Sequence, residues 1–124
     1  MSLTDFDWNV RTLVYGSFAR SGQAPEIPEL AARAGSTEHR ITESLERLYD
    51  GHEVALRPDG RVWMANPFSA IPTAYPVETA EVTCWANCAW DALGVAAILD
   101  TDAWTRTTCA ESGKPLEFLS LIHI

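Results

Sequence analysis

Residues 82–100 read VTCWANCAWDALGVAAILD, and the change of period along this stretch decides the fold. Glu81 to Trp85 has the composition of a short strand. From about Asn87 to Leu99 the apolar run is too long for a strand and rich in Ala and Leu. It predicts a buried helix with Leu93, Val95, Ala96, Ala97 and Ile98 inward. Asn87 is a suitable N-cap, which places Cys88 in the first turn, where unpaired N–H groups favour an anion. Asp91 follows at i+3, on the same helix face. A thiol and a carboxyl side by side can pass a proton between them. They also make a mixed soft and hard ligand pair for a thiophilic metal. A plainer reading stands beside this one: Cys is among the most buried residue types, and Asp in a first turn complements the helix dipole.

Upstream, PFSAIPTAYP (67–76) holds three prolines, which rule out a helix and predict an extended connector between residues 1–66 and the rest. Within 1–66, Phe6, Val10, Leu13, Val14 and Phe18 recur at helical spacing until Ser21-Gly22. Pro28 suits the first turn of a second helix with Leu30, Ala31 and Ala34 on one face. Ser36 or Thr37 can cap a third, with Ile41, Leu45, Leu48 and Tyr49 inward and Gly51 at its end. Val54, Leu56, Val62 and Met64 then flank the turn signal Pro58-Asp59-Gly60. Three helices and a hairpin predict a winged helix-turn-helix-like module over 1–66, in a chain of the α+β class.

Charge argues against the function usually attached to that shape. The chain of 124 residues carries a net charge of −8, with −3 in residues 1–66 and −5 in 67–124. The third helix sets Glu38, Glu43, Glu46 and Asp50 against Arg40 and Arg47, and the wing offers only Arg57 and Arg61. A helix entering a groove of phosphates needs the opposite balance, so a structural module and no nucleic-acid partner are expected. His39 reads as a solvated helix residue. No run approaches the ~18 apolar residues of a membrane span, and MSLTDFDWNV has no basic-then-apolar leader, so no membrane association is expected. Three cysteines without a leader favour reduced thiols and a cytoplasmic location. Cys84–Cys88 is a CxxxC, but His39, His52 and His123 form no array with it, so no four-ligand zinc site is expected.

The stretches PFSAIPT (67–73), WANCAWDALGVAAIL (85–99) and TTCAESGKPLEF (107–118) together resemble the organomercurial (alkylmercury) lyase family. WANCAWDAL is the most specific of them. The resemblance implies a winged-helix-like N-terminal module, 1–66, that does not read DNA. It implies that 67–118 is the first part of an alkylmercury-lyase-like sheet-and-helix domain. By the same resemblance Cys88 and Asp91 are the catalytic pair and the mercury ligands, and Cys109 is structural. The implied reaction is protonolysis of a carbon–mercury bond: a thiolate captures R–Hg⁺, a second thiolate raises electron density on the carbon, and the carboxylic acid protonates it. Hydrocarbon leaves and Hg(II) remains. No organic cofactor is implied, and low-molecular-weight thiols or a mercuric reductase would accept the Hg(II).

The family's second catalytic cysteine stands far downstream, outside this sequence, so a C-terminally truncated member is expected. Cys84 is a possible auxiliary thiol, or simply a buried strand residue. The closing LSLIHI, Leu119 to Ile124, is the translation of a transposon end used in sequencing libraries and is expected to be an adapter artefact, which removes His123 from any mechanism. Two functions remain: organomercurial lyase in mercury detoxification, or a non-catalytic thiol metal-binding or metal-sensing protein of the same fold.

Overall fold

The first helix, α1 (Asp5–Ser21), starts on a reciprocal cap: Asp7 N donates to Thr4 Oγ1 at 3.1 Å and Thr4 N donates to Asp7 Oδ2 at 3.0 Å. The same carboxylate then reaches across to α3 (Glu38–Asp50). Ser44 Oγ donates to Asp7 Oδ1 at 2.6 Å, and Arg47 Nη2 and Nε donate to it from 2.9 to 3.2 Å. Asp7 is fully buried, so this ion pair fixes the α1–α3 crossing rather than decorating the surface. Between them α2 (Ile27–Ala34) begins with proline in its first turn and ends on Gly35 in the left-handed region. The computed structural model describes residues 2–109 and 111–120.

After the helices come β1 (Ala55–Leu56), β2 (Val62–Ala65), β3 (Phe68–Ser69), β4 (Tyr75–Glu78), β5 (Thr83–Ala86), α4 (Ala89–Leu99), β6 (Ala103–Thr108) and β7 (Pro115–Ser120). Among the described residues the strands form one antiparallel sheet in the order β1-β2-β3-β5-β4-β6-β7. The expected three helices and hairpin are therefore present, but the hairpin is the first part of the sheet that continues through β7. The proline-rich stretch is extended, as its composition requires, and contributes β3, which pairs with β2 and β5. β7 includes Leu119 and Ser120; residues 121–124, with His123, lie outside the described residues.

One core joins the two parts. Phe18 of α1 stacks on Phe68 of β3 with ring centroids 5.2 Å apart, and Tyr15 meets Phe68 edge-on. Val77, Cys84 and Ala86 enter the same cluster as Val95 and Ala96 of α4. The end of α1 also presses on β5: Gly22 has φ 72°, and a Cβ there would collide with the Thr83 carbonyl oxygen. Glycine is required at that position both for the backbone angle and for the close approach.

The cations of the N-terminal module are largely engaged within the fold. Arg47 holds Asp7, Arg40 lies 4.3 Å over the Phe6 ring, and Arg61 pairs with Asp59 at 3.0 Å. The acidic balance of the third helix is therefore stronger in space than in sequence. Among the described residues no helix is long and apolar enough to cross a membrane.

Burial alone would raise the Asp7 carboxyl. The hydrogen bonds from Arg47, Ser44 and Thr4 outweigh it and hold the group well below the usual carboxylate range. A depressed folded-state value means that this stabilisation is complete above the unfolded value, near 3.8, and is lost as pH falls below it. Asp7→Asn is expected to cost about 2–3 kcal/mol in urea denaturation at pH 7, since Arg47 loses its charged partner. The variant should also lose less stability than the parent as pH is lowered from 5 to 2.

Candidate active site

The junction between β5 and α4 is built by Asn87. Its Nδ2 donates to Asn66 Oδ1 at 2.9 Å and to the Phe68 carbonyl at 3.3 Å, and its backbone N donates to Pro67 O at 3.3 Å. The Asn66–Pro67 bond is cis. Tyr15 Oη holds the other side of this turn, donating to Asn66 O at 2.7 Å, and Thr73 Oγ1 donates to the Ala86 carbonyl. With Asn87 so committed, it does not cap the helix. Cys88, in extended geometry (φ −155°, ψ 179°), occupies the N-cap, and α4 begins at Ala89. The sequence expectation of Asn87 as cap with Cys88 inside the first turn is corrected by one residue. The reason is that the asparagine amide finds better partners in the 66–68 turn.

This shift puts Cys88 and Asp91 at N-cap and N3, the spacing at which a serine or threonine and a glutamate cap a helix reciprocally. Here the thiol makes no capping bond. Cys88 is exposed and Asp91 half-buried, and among the described residues neither side chain has a hydrogen-bond or ionic partner. The contrast with Asp7, whose carboxylate is surrounded by donors, is direct. An unengaged thiol and an unengaged carboxyl at the open end of a helix are available to an incoming ligand.

The other cysteines are placed differently. Cys84 is fully buried, its Sγ donates to the Phe18 carbonyl at 3.6 Å, and burial pushes its thiol up to about 11. It is a protonated core residue with its face toward α1. Cys109 stands at the β6–β7 turn, where its N–H donates to Lys114 O and its carbonyl accepts from Gly113 N, both at 2.8 Å. Its thiol is half-exposed and is lowered from its ordinary value by the Ser112 side chain and the Ser112 and Glu111 N–H groups. Among the described residues no three His, Cys, Asp or Glu side chains are grouped to hold a metal ion. His39 is largely exposed beside Glu43, and His52 is also exposed.

α4 itself departs from expectation. Only Ala92, Val95 and Ala96 are buried, while Trp90 is 79%, Leu93 42% and Ile98 51% exposed. The helix is apolar all round but rests on the sheet by a single face, and among the described residues no second layer covers the other. Trp90 and Leu93 line a groove with Ala89 and Phe118 of β7. Helical spacing had placed Leu93 and Ile98 in the core, and both are exposed instead.

The sequence model of alkylmercury lyases matches residues 68–120. That segment, somewhat under half of the chain, is similar to the alkylmercury lyases. It contains β3 to β7 and α4, and with them Cys84, Cys88, Asp91 and Cys109. The fold as a whole is similar to a solved structure described as the crystal structure of the mercury-bound form of MerB2, with a TM-score of 0.76 and 22% identity. The likeness covers 95% of this chain and 57% of that one, so the chain spans a little over half the length of MerB2. It includes the three-helix part, which the alkylmercury lyase match does not reach. No curated protein matches the chain.

The three thiols are expected to separate on labelling. Iodoacetamide at pH 8 should modify Cys88 and Cys109 in the folded protein and reach Cys84 only after urea unfolding, as read by peptide mass spectrometry. As pH is lowered, labelling of Cys109 should persist further than that of an unperturbed thiol, because its thiolate is favoured. Rapid labelling of Cys84 in the native state would contradict its assigned burial.

Proposed function

We propose that this chain captures an organomercurial at Cys88 and that Asp91 is the acid of carbon–mercury protonolysis. The observation that carries the reading is the pair at the start of α4, one exposed thiol and one carboxyl three residues on, both unengaged, inside the alkylmercury lyase segment. Mercury prefers sulfur, so the Cys88 sulfur displaces X⁻ from R–Hg–X, and the thiol proton passes to the Asp91 carboxylate as the S–Hg bond forms. Asp91 then delivers a proton to the mercury-bound carbon. The C–Hg bond breaks, R–H departs, and Hg(II) stays on Cys88 with the freed carboxylate as its hard ligand. A low-molecular-weight thiol, or a reductase that accepts Hg(II), removes the metal. The role is mercury detoxification.

Electron donation by a second thiolate is what makes the carbon basic enough to take the proton. Cys84 is sealed in the core, and Cys109 belongs to the β6–β7 turn. That placement favours a second reading for the 124-residue chain by itself, a mercury-binding protein with little turnover.

Gas chromatography of benzene from phenylmercury under excess thiol tests both readings. The 124-residue chain is expected to bind one equivalent at Cys88 and to release little benzene; joined to a family C-terminal portion that supplies a further cysteine, it should turn over. In that active form Asp91→Ala should lower the rate by about 10²–10⁴ while leaving capture intact, the usual worth of a positioned proton donor. Cys88→Ser should lose capture and cleavage together. An Asp91→Ala variant that keeps the parental rate would remove that residue from the proton-delivery role.

A further inference from the structure

We infer that the outer edge of β7, with the apolar flank of α4 beside it, pairs with the same surface of a second copy of this chain. The two sheets then join into one across a two-fold axis at Phe118. The inference is independent of what Cys88 captures. β7 (Pro115–Ser120) ends the sheet, and among the described residues no strand covers its other side. Leu116, Phe118 and Leu119 are exposed on it. Its one charged residue, Glu117, is engaged by Arg106 of β6 at 3.5 Å. The strand holds no lysine, the residue that most often keeps free edges apart. On the helix side, Ala89, Trp90 and Leu93 of α4 meet Phe118 around an apolar groove of about 340 Å³.

The ladder of β6 and β7 selects both the occupant and its register. Cys109 N donates to Lys114 O at 2.8 Å, which makes that level a hydrogen-bonded pair. Such pairs alternate along an antiparallel ladder, so Leu116 and Phe118, opposite Thr107 and Thr105, bond to β6. The N–H and C=O groups of Glu117 and Leu119 therefore point outward, at the spacing that another strand satisfies. A two-fold axis normal to the sheet sets residues of the same face opposite each other, so self-pairing must centre on one residue. Centring on Leu116 or Glu117 asks Pro115 for an N–H it lacks, and centring on Glu117 also sets two carboxylates face to face. Centred on Phe118, Glu117 exchanges both backbone bonds with Leu119 of the second copy, and Leu119 does the same with its Glu117. The two Phe118 rings then face each other at the close, non-hydrogen-bonded level, a favourable cross-strand pair. Both α4 helices lie on the same face of the joined sheet, with an apolar groove on either side of the Phe118 pair. The strand is thus its own complement, and no charge pattern on this edge calls for a different partner.

Sedimentation velocity of the 124-residue chain at rising concentration should show a monomer–dimer equilibrium. Added salt should shift it toward the dimer, since each copy carries a net charge of −8. Phe118→Lys places two like charges on the axis and should weaken association about tenfold or more, with an unchanged circular dichroism spectrum. Phe118→Cys tests the register. Made together with Cys88→Ser and Cys109→Ser, which remove the other accessible thiols, it should cross-link into a dimer with oxidised glutathione. A residue on the axis meets its own copy at disulfide distance. Glu117→Cys in the same background should not cross-link. A chain that stays monomeric at every concentration overturns the inference and leaves this face to a continuation of the chain or to a different protein. A dimer untouched by Phe118→Lys, or one that cross-links at position 117 rather than 118, overturns it by placing the contact elsewhere.

Discussion

A single amide, that of Asn87, sets the position of everything chemical in this chain. By donating to Asn66 and Phe68 it ties the end of β5 to the turn between β2 and β3, and it forces α4 to begin one residue later than its own side chain would allow. Cys88 is thereby left at the N-cap with a thiol that caps nothing. Had Asn87 capped the helix, Cys88 would stand in the first turn and Asp91 one position deeper. The geometry in which thiol and carboxyl bracket the first turn is a consequence of where an asparagine found its partners.

The turn that Asn87 grips is itself held from the N-terminal side. Tyr15 of α1 bonds the Asn66 carbonyl, and Phe18 stacks on Phe68 two residues along. The orientation of α1 depends in turn on Asp7 and its bonds to α3. The three-helix part therefore acts as a structural brace for the β5–α4 junction, with the Asp7 carboxylate and the guanidinium groups of Arg11, Arg40 and Arg47 engaged within it. This gives the acidic module a physical role that needs no nucleic acid.

Local signals carried much of the fold. Thr37 caps α3, Pro28 opens α2, and Gly22 and Gly35 end helices in the left-handed region, all through short-range chemistry readable in order along the chain. The Cys88–Asp91 spacing was legible for the same reason. What escaped was non-local. Phe68 and Ser69 sit in a proline-rich stretch and form a strand only because β2 and β5 flank them. Asn87 has the residue type of an N-cap, and only the folded position of Asn66 shows why it is not one. The uniform apolarity of α4 predicted burial on all sides, but a helix laid on one sheet buries one face, and the other became the wall of a groove. Cys109, expected to serve structure, does close a turn through its backbone, yet its thiol is half-exposed beside donors.

The central claim is that mercury enters at Cys88, at the open end of α4. Crystals of the chain grown with phenylmercury and examined by anomalous scattering at the mercury edge test it most directly. The account predicts one dominant peak bonded to Cys88 Sγ, within reach of the Asp91 carboxyl. A dominant peak on Cys109, or none on Cys88 in crystals that carry mercury elsewhere, would contradict it.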